Sequence, residues 1–381
     1  MRRIVIVLML LLAAATAVWL AAGSRRTAAA TTAAALDHAT LLRHGTTPEG
    51  WSLWTLVNPW DSTAVLHRYV LVPRGASADE HTLQAYAGGG TTVVRVPVRR
   101  AGVATAVHCG LLCELGAGGA ICGVCEKQYI DIPLVRQGLR DGTVADFGNG
   151  MAPNVERIID VHPDALLLTP FEHSGGYGRV ESLGIPIVEC AEYMERTPLG
   201  RAEWMLFYGE LFGKERAART IFGSVVKAYT ALCDTAARAT RRPRLLTELM
   251  YGGQWFVPSG GSTMACLFRD AAVDYAFARL PGSGSTPLPF ETVLAEAGDA
   301  DLWLVKQGGT TPLTYASLAA DYQPYTRFRA YAERHIHVCD LSHTRFYEET
   351  PFHPELLLRD IIAIAHPELL GGVRPKYYRP L

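Results

Sequence analysis

The residues best suited to holding a small molecule are gathered in four short stretches. Phe147-Gly148-Asn149 and Pro170-Phe171-Glu172-His173-Ser174-Gly175-Gly176-Tyr177 follow apolar runs in the first half of the chain. Tyr251-Gly252-Gly253-Gln254-Trp255-Phe256 and Ser342-His343-Thr344-Arg345-Phe346-Tyr347 do the same in the second. Aromatic rings offer flat apolar surface, and glycines let a bulky ligand come close to the backbone. Arg345 suits a carboxylate or phosphate, which it can bind through paired hydrogen bonds. Glu172 and His173 can contact a polar ligand or, less readily, a metal.

Other polar clusters carry weaker signals. Cys109-x-x-x-Cys113 and Cys122-x-x-Cys125 have spacings that zinc sites use, yet "AVHCGLLCELGAGGAICGVCE" reads as helix, glycine turn and strand. Buried thiols suit that pattern best, with a local disulfide or a metal site as alternatives. His335-x-His337 lies on one strand face without a third ligand nearby and reads as structural, as do His343 and His353. Nucleophile elbows, phosphate loops ending in Gly-Lys-Ser/Thr, zincin His-Glu-x-x-His and dinucleotide glycine motifs after a strand are missing. No enzyme chemistry is indicated.

The elements that must position these loops alternate. Helix 105–116, strand 120–125, helix 154–161, strand 165–169, helix 177–183 and strand 185–189 argue for a parallel sheet flanked by helices. The pattern restarts with strand 244–250, helices 262–274 and 289–297, strand 301–305, helices 315–320 and 324–332, strand 335–339 and helix 353–365. In open parallel sheets ligands bind beyond the carboxyl ends of the strands, which is where the aromatic loops fall. Between the halves, residues 198–241 keep helical periodicity. Thr197 is the predicted N-cap and Pro198 the first helical residue, and Gly209 and Gly213 are places where the helix could break once. Unbroken, it would reach about 60 Å. In "APNVERIIDV" Val155, Ile158 and Ile159 are expected to face inward, leaving Glu156 and Arg157 in water.

The 381 residues, 49% of them hydrophobic with a formal charge of -1, allow two cored domains and show no basic footprint for nucleic acid. Residues 1–23 have the positive start, apolar run and small-residue end of a signal peptide, with an uncleaved anchor as the rival reading. A lipid-anchor site would need a cysteine in place of Ser24. Residues 24–50 are Ala/Thr-rich and read as a low-complexity tether. The expected organisation is a 51–197 α/β lobe, the 198–241 inter-lobe helix, a 242–370 α/β lobe and a 371–381 tail. Strands within 51–98 extend the first lobe without an assigned role. The fold class is thus α/β, with two Rossmann-like lobes joined by one long helix and a ligand cleft between them.

This ordered set resembles the substrate-binding proteins of ABC importers for ferric siderophores, haem and vitamin B12, the class with a rigid inter-lobe helix. The resemblance rests on "RVPVRRAGVATAVHCGLLCELG", "ADFGNGMAPNVERIIDVHPDALLL", "SLGIPIVE", the long helix, "PFETVLAEAGDADLWLV" and "LLLRDIIAIAHPELL", spanning about residues 93–370. It implies an exported, periplasmic and monomeric receptor, not an enzyme and without a cofactor. Such a receptor captures an iron chelate or cobalamin and delivers it to a permease and its ATPase. One exposed glutamate on each lobe would dock the permease, and Glu156 and Glu291 occupy the matching positions. The ligand residues implied are Phe147, Phe171 and Glu172 on the first lobe and Trp255, Arg345, Phe346 and Tyr347 on the second, with Tyr129 a weaker candidate. The long helix would keep closure small, so that the permease senses modest changes in the spacing of the two glutamates. A receptor of the same fold for bare zinc or manganese is the alternative, followed by an exported α/β enzyme.

Overall fold

The computed structural model describes residues 34–172, 176–309 and 311–381, so the 1–23 leader, the start of the 24–50 stretch and His173 lie outside the described residues. Strands β1 (Ala34–Ala35), β2 (Leu42–Thr46), β3 (Ser52–Val57), β4 (Val65–Pro73) and β5 (Thr91–Val96) form a sheet in sequence order, antiparallel except for β4 with β5. Its inner face, with Trp54, Leu56, Tyr69 and Leu71, is continuous with the core of the first lobe. Tyr69 takes a hydrogen bond from the Glu189 N–H (2.8 Å), and Trp54 Nε1 donates to Glu210 (2.8 Å). The 51–98 strands are therefore an integral layer of that lobe.

The first lobe continues with β6 (Ala101–Val103), β7 (Ile121–Cys125), β8 (Ala145–Asn149), β9 (Ala152–Pro153), β10 (Ala165–Leu168) and β11 (Ile187–Glu189). They lie in the order β11-β10-β6-β7-β8-β9, parallel except for the β8–β9 pair. All of β7 and β10 is buried, as expected of strands covered on both faces, and this is why they read as unbroken apolar runs.

The second lobe contains β12 (Arg244–Thr247), β13 (Met250–Tyr251), β14 (Gln254–Pro258), β15 (Asp274–Tyr275), β16 (Ser285–Leu288), β17 (Leu302–Gln307), β18 (Ile336–Asp340) and β19 (Tyr378–Pro380). Its main sheet has the order β15-β12-β17-β18-β19, parallel except for β18 with β19, and β13-β14-β16 is a small antiparallel sheet beside it. The alternating pattern predicted both parallel sheets.

Three expectations are corrected here. The 198–241 stretch is not one helix but Pro198–Glu203, Met205–Leu211 and Glu215–Ala236. Thr197 does cap the first, accepting from Gly200 N–H at 3.0 Å. Gly213, with φ of +65°, makes the left-handed turn before the last helix. Gly209 stays helical; its missing side chain makes room for Ala218, which an added Cβ would approach to 2.5 Å. The remaining helix of 22 residues spans about 33 Å. Ala218, Phe222 and Val225 lie in the core of the first lobe and Tyr229 and Ala236 in that of the second, so this one helix is rooted in both.

The 24–50 stretch is no tether from residue 34 onward. Backbone N–H groups of Asp37, His38 and Ala39 donate to Glu203 (3.2, 2.8 and 2.6 Å), and those of Thr40 and Leu41 donate to Glu195 (3.0 and 2.9 Å). Both glutamates are buried, and Ala39 and Leu42 are in the core. The 371–381 tail is likewise structural: Asp360, fully buried, accepts from Lys376 N–H and Tyr377 N–H (2.7 and 2.6 Å) and steers β19 onto β18. All eight cysteines are free thiols.

Candidate functional site

Strand order locates the site before any side chain is considered. In the first sheet the chain starts at β6, runs outward to β7 and β8, and returns to β10 on the other side of β6. In the second it starts at β12, steps to β15, and returns to β17 on the other side of β12. Each reversal leaves a crevice beyond the carboxyl ends of the strands, the ordinary place for a ligand in open α/β sheets.

Large apolar side chains are left in water around these ends. Tyr129 (72% exposed) follows β7, Met151 (66%) follows β8, Phe171 (41%) follows β10, Tyr251 (82%) ends β13 just after β12, and Tyr347 (50%) follows β18. Glu172 and Arg345 are exposed in the same loops. Phe171, Glu172 and Arg345 thus stand on loops at these strand ends, and Tyr347 stands in the short helix that follows β18.

Three other candidates are buried instead. Phe147 is buried under the first sheet, where Gly102 and Gly123 leave room for its ring; a Cβ on Gly123 would come within 2.1 Å of it. Trp255 has no exposed surface. Its ring stacks on Trp303 at 5.7 Å, and its Nε1 donates to the Thr247 carbonyl at 2.8 Å. Residues 254–258 are a strand, so Trp255 points inward and Phe256 outward, an alternation hidden when the stretch is read as a loop. Phe346 begins the short helix Phe346–Glu349 and packs against Tyr377 of the chain's end. None of these three rings has a face to offer a ligand.

The structure adds a polar pair that the sequence reading missed. Lys306, at the end of β17, is ion-paired with Glu248, just after β12, at the reversal point of the second sheet. Burial alone would lower the Lys306 pKa, but the Glu248 carboxylate and Tyr347 beside it raise it, so the ammonium stays charged. Glu248 holds a left-handed φ of +66°, unusual outside glycine. The available signal was a lone lysine at the end of the apolar run "LWLV".

Glu156 and Glu291 both lie exposed in the first turn of a helix, Val155–Val161 and Phe290–Ala297. Neither has an ion-pair partner among the described residues. Ile158 is buried as expected, but Ile159 is 46% exposed. The 155–161 helix is short, and only a narrow stripe of it meets the sheet. His335 and His337 bring no third ligand together: burial and the neighbouring His335 push His337 down to about 4, and His335 faces Glu333 at 3.6 Å.

Two α/β lobes with parallel sheets, exposed strand-end loops and a shared helix define a bilobal binding-protein fold. Residues 109–341 match the periplasmic binding protein family, and the chain belongs to that family. It is 25% identical over 304 residues to an uncharacterized lipoprotein of Methanocaldococcus jannaschii, covering 76% of this chain and 70% of that one. Among solved structures it is similar to a periplasmic haem-binding protein of Pseudomonas aeruginosa (TM-score 0.56, 17% identity, 71% of this chain and 93% of that one). It is also similar to the periplasmic vitamin B12 binding protein of Vibrio cholerae (TM-score 0.51, 14% identity, 71% and 97%). At such identities the likeness establishes the fold. The family and these neighbours are binding proteins, the family and the lipoprotein relative point to an exported protein, and no helix among the described residues is long and apolar enough to cross a membrane.

Proposed function

We propose that this protein is the periplasmic receptor of an ABC importer, capturing an iron chelate (a ferric siderophore or haem) or cobalamin between its lobes and delivering it to the permease. The observation that carries this reading is the exposure of Tyr129, Met151, Phe171, Tyr251 and Tyr347 at the carboxyl ends of the parallel strands of both lobes. Water-exposed rings at the strand ends of both lobes suit a broad, partly apolar ligand with a few polar handles. Arg345 and the Lys306–Glu248 pair supply those handles on the second lobe, and Glu172 does so on the first. Trp255, Phe147 and Phe346 act behind the site by fixing the strands that carry it. Glu156 and Glu291 register the receptor on the permease, where exposed charges contribute orientation and association rate more than affinity.

The test is a calorimetric titration of the purified protein with haem, cobalamin and a ferric hydroxamate. One class binds at micromolar strength or tighter, and Tyr347→Ala and Phe171→Ala each weaken it by about 3–10-fold, the worth of one aromatic contact. Binding by none of the three, or binding indifferent to both substitutions, would overturn the assignment.

A further inference from the structure

A second group of side chains lies buried just beyond the carboxyl ends of β6 and β11, between the helix Ala106–Glu114, the exit of β11 and the helix Met205–Leu211. His108, Cys190 and Glu192 each present a donor atom there, and these atoms all lie within 4.8 Å of one another. His108 Nε2 is 3.3 Å from Glu192 Oε1 and 3.2 Å from the Tyr208 hydroxyl, which donates to Glu192 Oε2 at 3.0 Å. Nδ1 of the same ring is 2.7 Å from Thr105 Oγ1, which fixes the imidazole with Nε2 turned inward. The His108 and Glu192 side chains are 2% and 3% exposed, and Cys190 is buried. Phe352 of the second lobe covers the cluster, 6.4 Å from His108 and 6.0 Å from Tyr208 between ring centres.

We propose that His108, Cys190 and Glu192, with Tyr208 as a fourth donor, form a resident site for a divalent transition-metal ion of the zinc type. Ligands on a tetrahedral zinc ion stand about 3.3–3.8 Å apart, given bonds of about 2.0–2.3 Å. The donor atoms already approach that spacing, so small side-chain shifts complete the shell. A thiolate, an imidazole and a carboxylate together select a borderline ion over calcium or magnesium. The hydrogen bond from Nδ1 to Thr105 is the outer support that metal-bound histidines usually have.

The ion would pin the helix Ala106–Glu114 to the exit of β11 and to the inter-lobe connection. With so little exposure, and with Phe352 as cover, it stays with the protein and is not its cargo.

The probe is cobalt(II), added to the full-length protein after exhaustive chelation. One equivalent binds with a near-ultraviolet thiolate-to-cobalt charge-transfer band. Zinc displaces it at the same one-to-one stoichiometry. Cys190→Ser abolishes the band, whereas Cys113→Ser and Cys233→Ser retain it. Thr105→Val weakens binding by about 10–100-fold. Failure of the unaltered protein to bind one equivalent, or a band that survives Cys190→Ser, would overturn the site. Should Cys190→Ser not fold, the stoichiometry and the charge-transfer band of the unaltered protein decide alone.

Discussion

Replacing Trp255 by alanine separates a core role from a ligand role. The side chain is wholly buried, stacks on Trp303, and meets Tyr325 and Phe328 at 5.7 and 5.6 Å. Emptying such a position costs about 3–5 kcal/mol, within which the orphaned Thr247 carbonyl accounts for about 1 kcal/mol. For a lobe of this size that is about 9–15 °C in the melting temperature. Trp255→Phe fills most of the space but still loses the indole N–H, so its cost is about 1–2 kcal/mol. Urea unfolding followed by circular dichroism reads both, and calorimetric titration at a temperature where the Trp255→Phe protein is folded reads the ligand. The expected result is a graded loss of stability with ligand affinity unchanged in Trp255→Phe. A stability loss below about 1 kcal/mol in Trp255→Ala, together with a weakened ligand in Trp255→Phe, would show the buried placement to be wrong.

Three further outcomes are expected. The double reversal Glu156→Arg with Glu291→Arg stops uptake in cells while leaving ligand affinity intact, since both side chains are exposed and far from needing each other to fold; a lost affinity would remove them from docking. Gly123→Ala drives a methyl to 2.1 Å from the Phe147 ring and costs about 1–3 kcal/mol, readable as a lower urea midpoint, whereas Gly119→Ala, with nothing within 4 Å, costs far less. At His353, burial would lower the pKa, but Glu114 and Glu355 push it up to about 10. Its stabilisation is therefore complete below about pH 6.5 and drains away as pH rises toward 10. His353→Gln makes the fall in stability over that interval shallower, and an unchanged slope would refute the pairing.

Most of the sheet framework was legible because strands buried on both faces leave unmistakable apolar runs, as in Leu166-Leu167-Leu168 and Leu302-Trp303-Leu304-Val305. What escaped depended on partners distant in sequence. Ala/Thr-rich composition hid the packing of residues 34–50, because the groups that satisfy their backbone, Glu195 and Glu203, lie about 160 residues later. Gly209 and Gly213 look alike in sequence, yet one packs against a helix and the other makes a left-handed turn. Among the site residues, Phe171, Glu172 and Arg345 on loops and Tyr347 in the short helix after β18 were found exposed near the strand ends. Trp255 and Phe147 were not, since an aromatic next to glycines reads the same whether it lines a crevice or fills the space the glycines leave.

The fastening of residues 37–41 also sets an order of events. During synthesis and export this segment emerges early, but its five N–H groups have no partners until Glu195 and Glu203 follow. A sequence separation of 154 to 166 residues makes these bonds slow to find, because a long loop must close before any of them forms. The first part of the lobe to appear is thus among the last to be locked. A chain interrupted before Glu203 would leave the N–H groups of Asp37, His38 and Ala39 without their acceptor, exposing that backbone to chaperones and proteases.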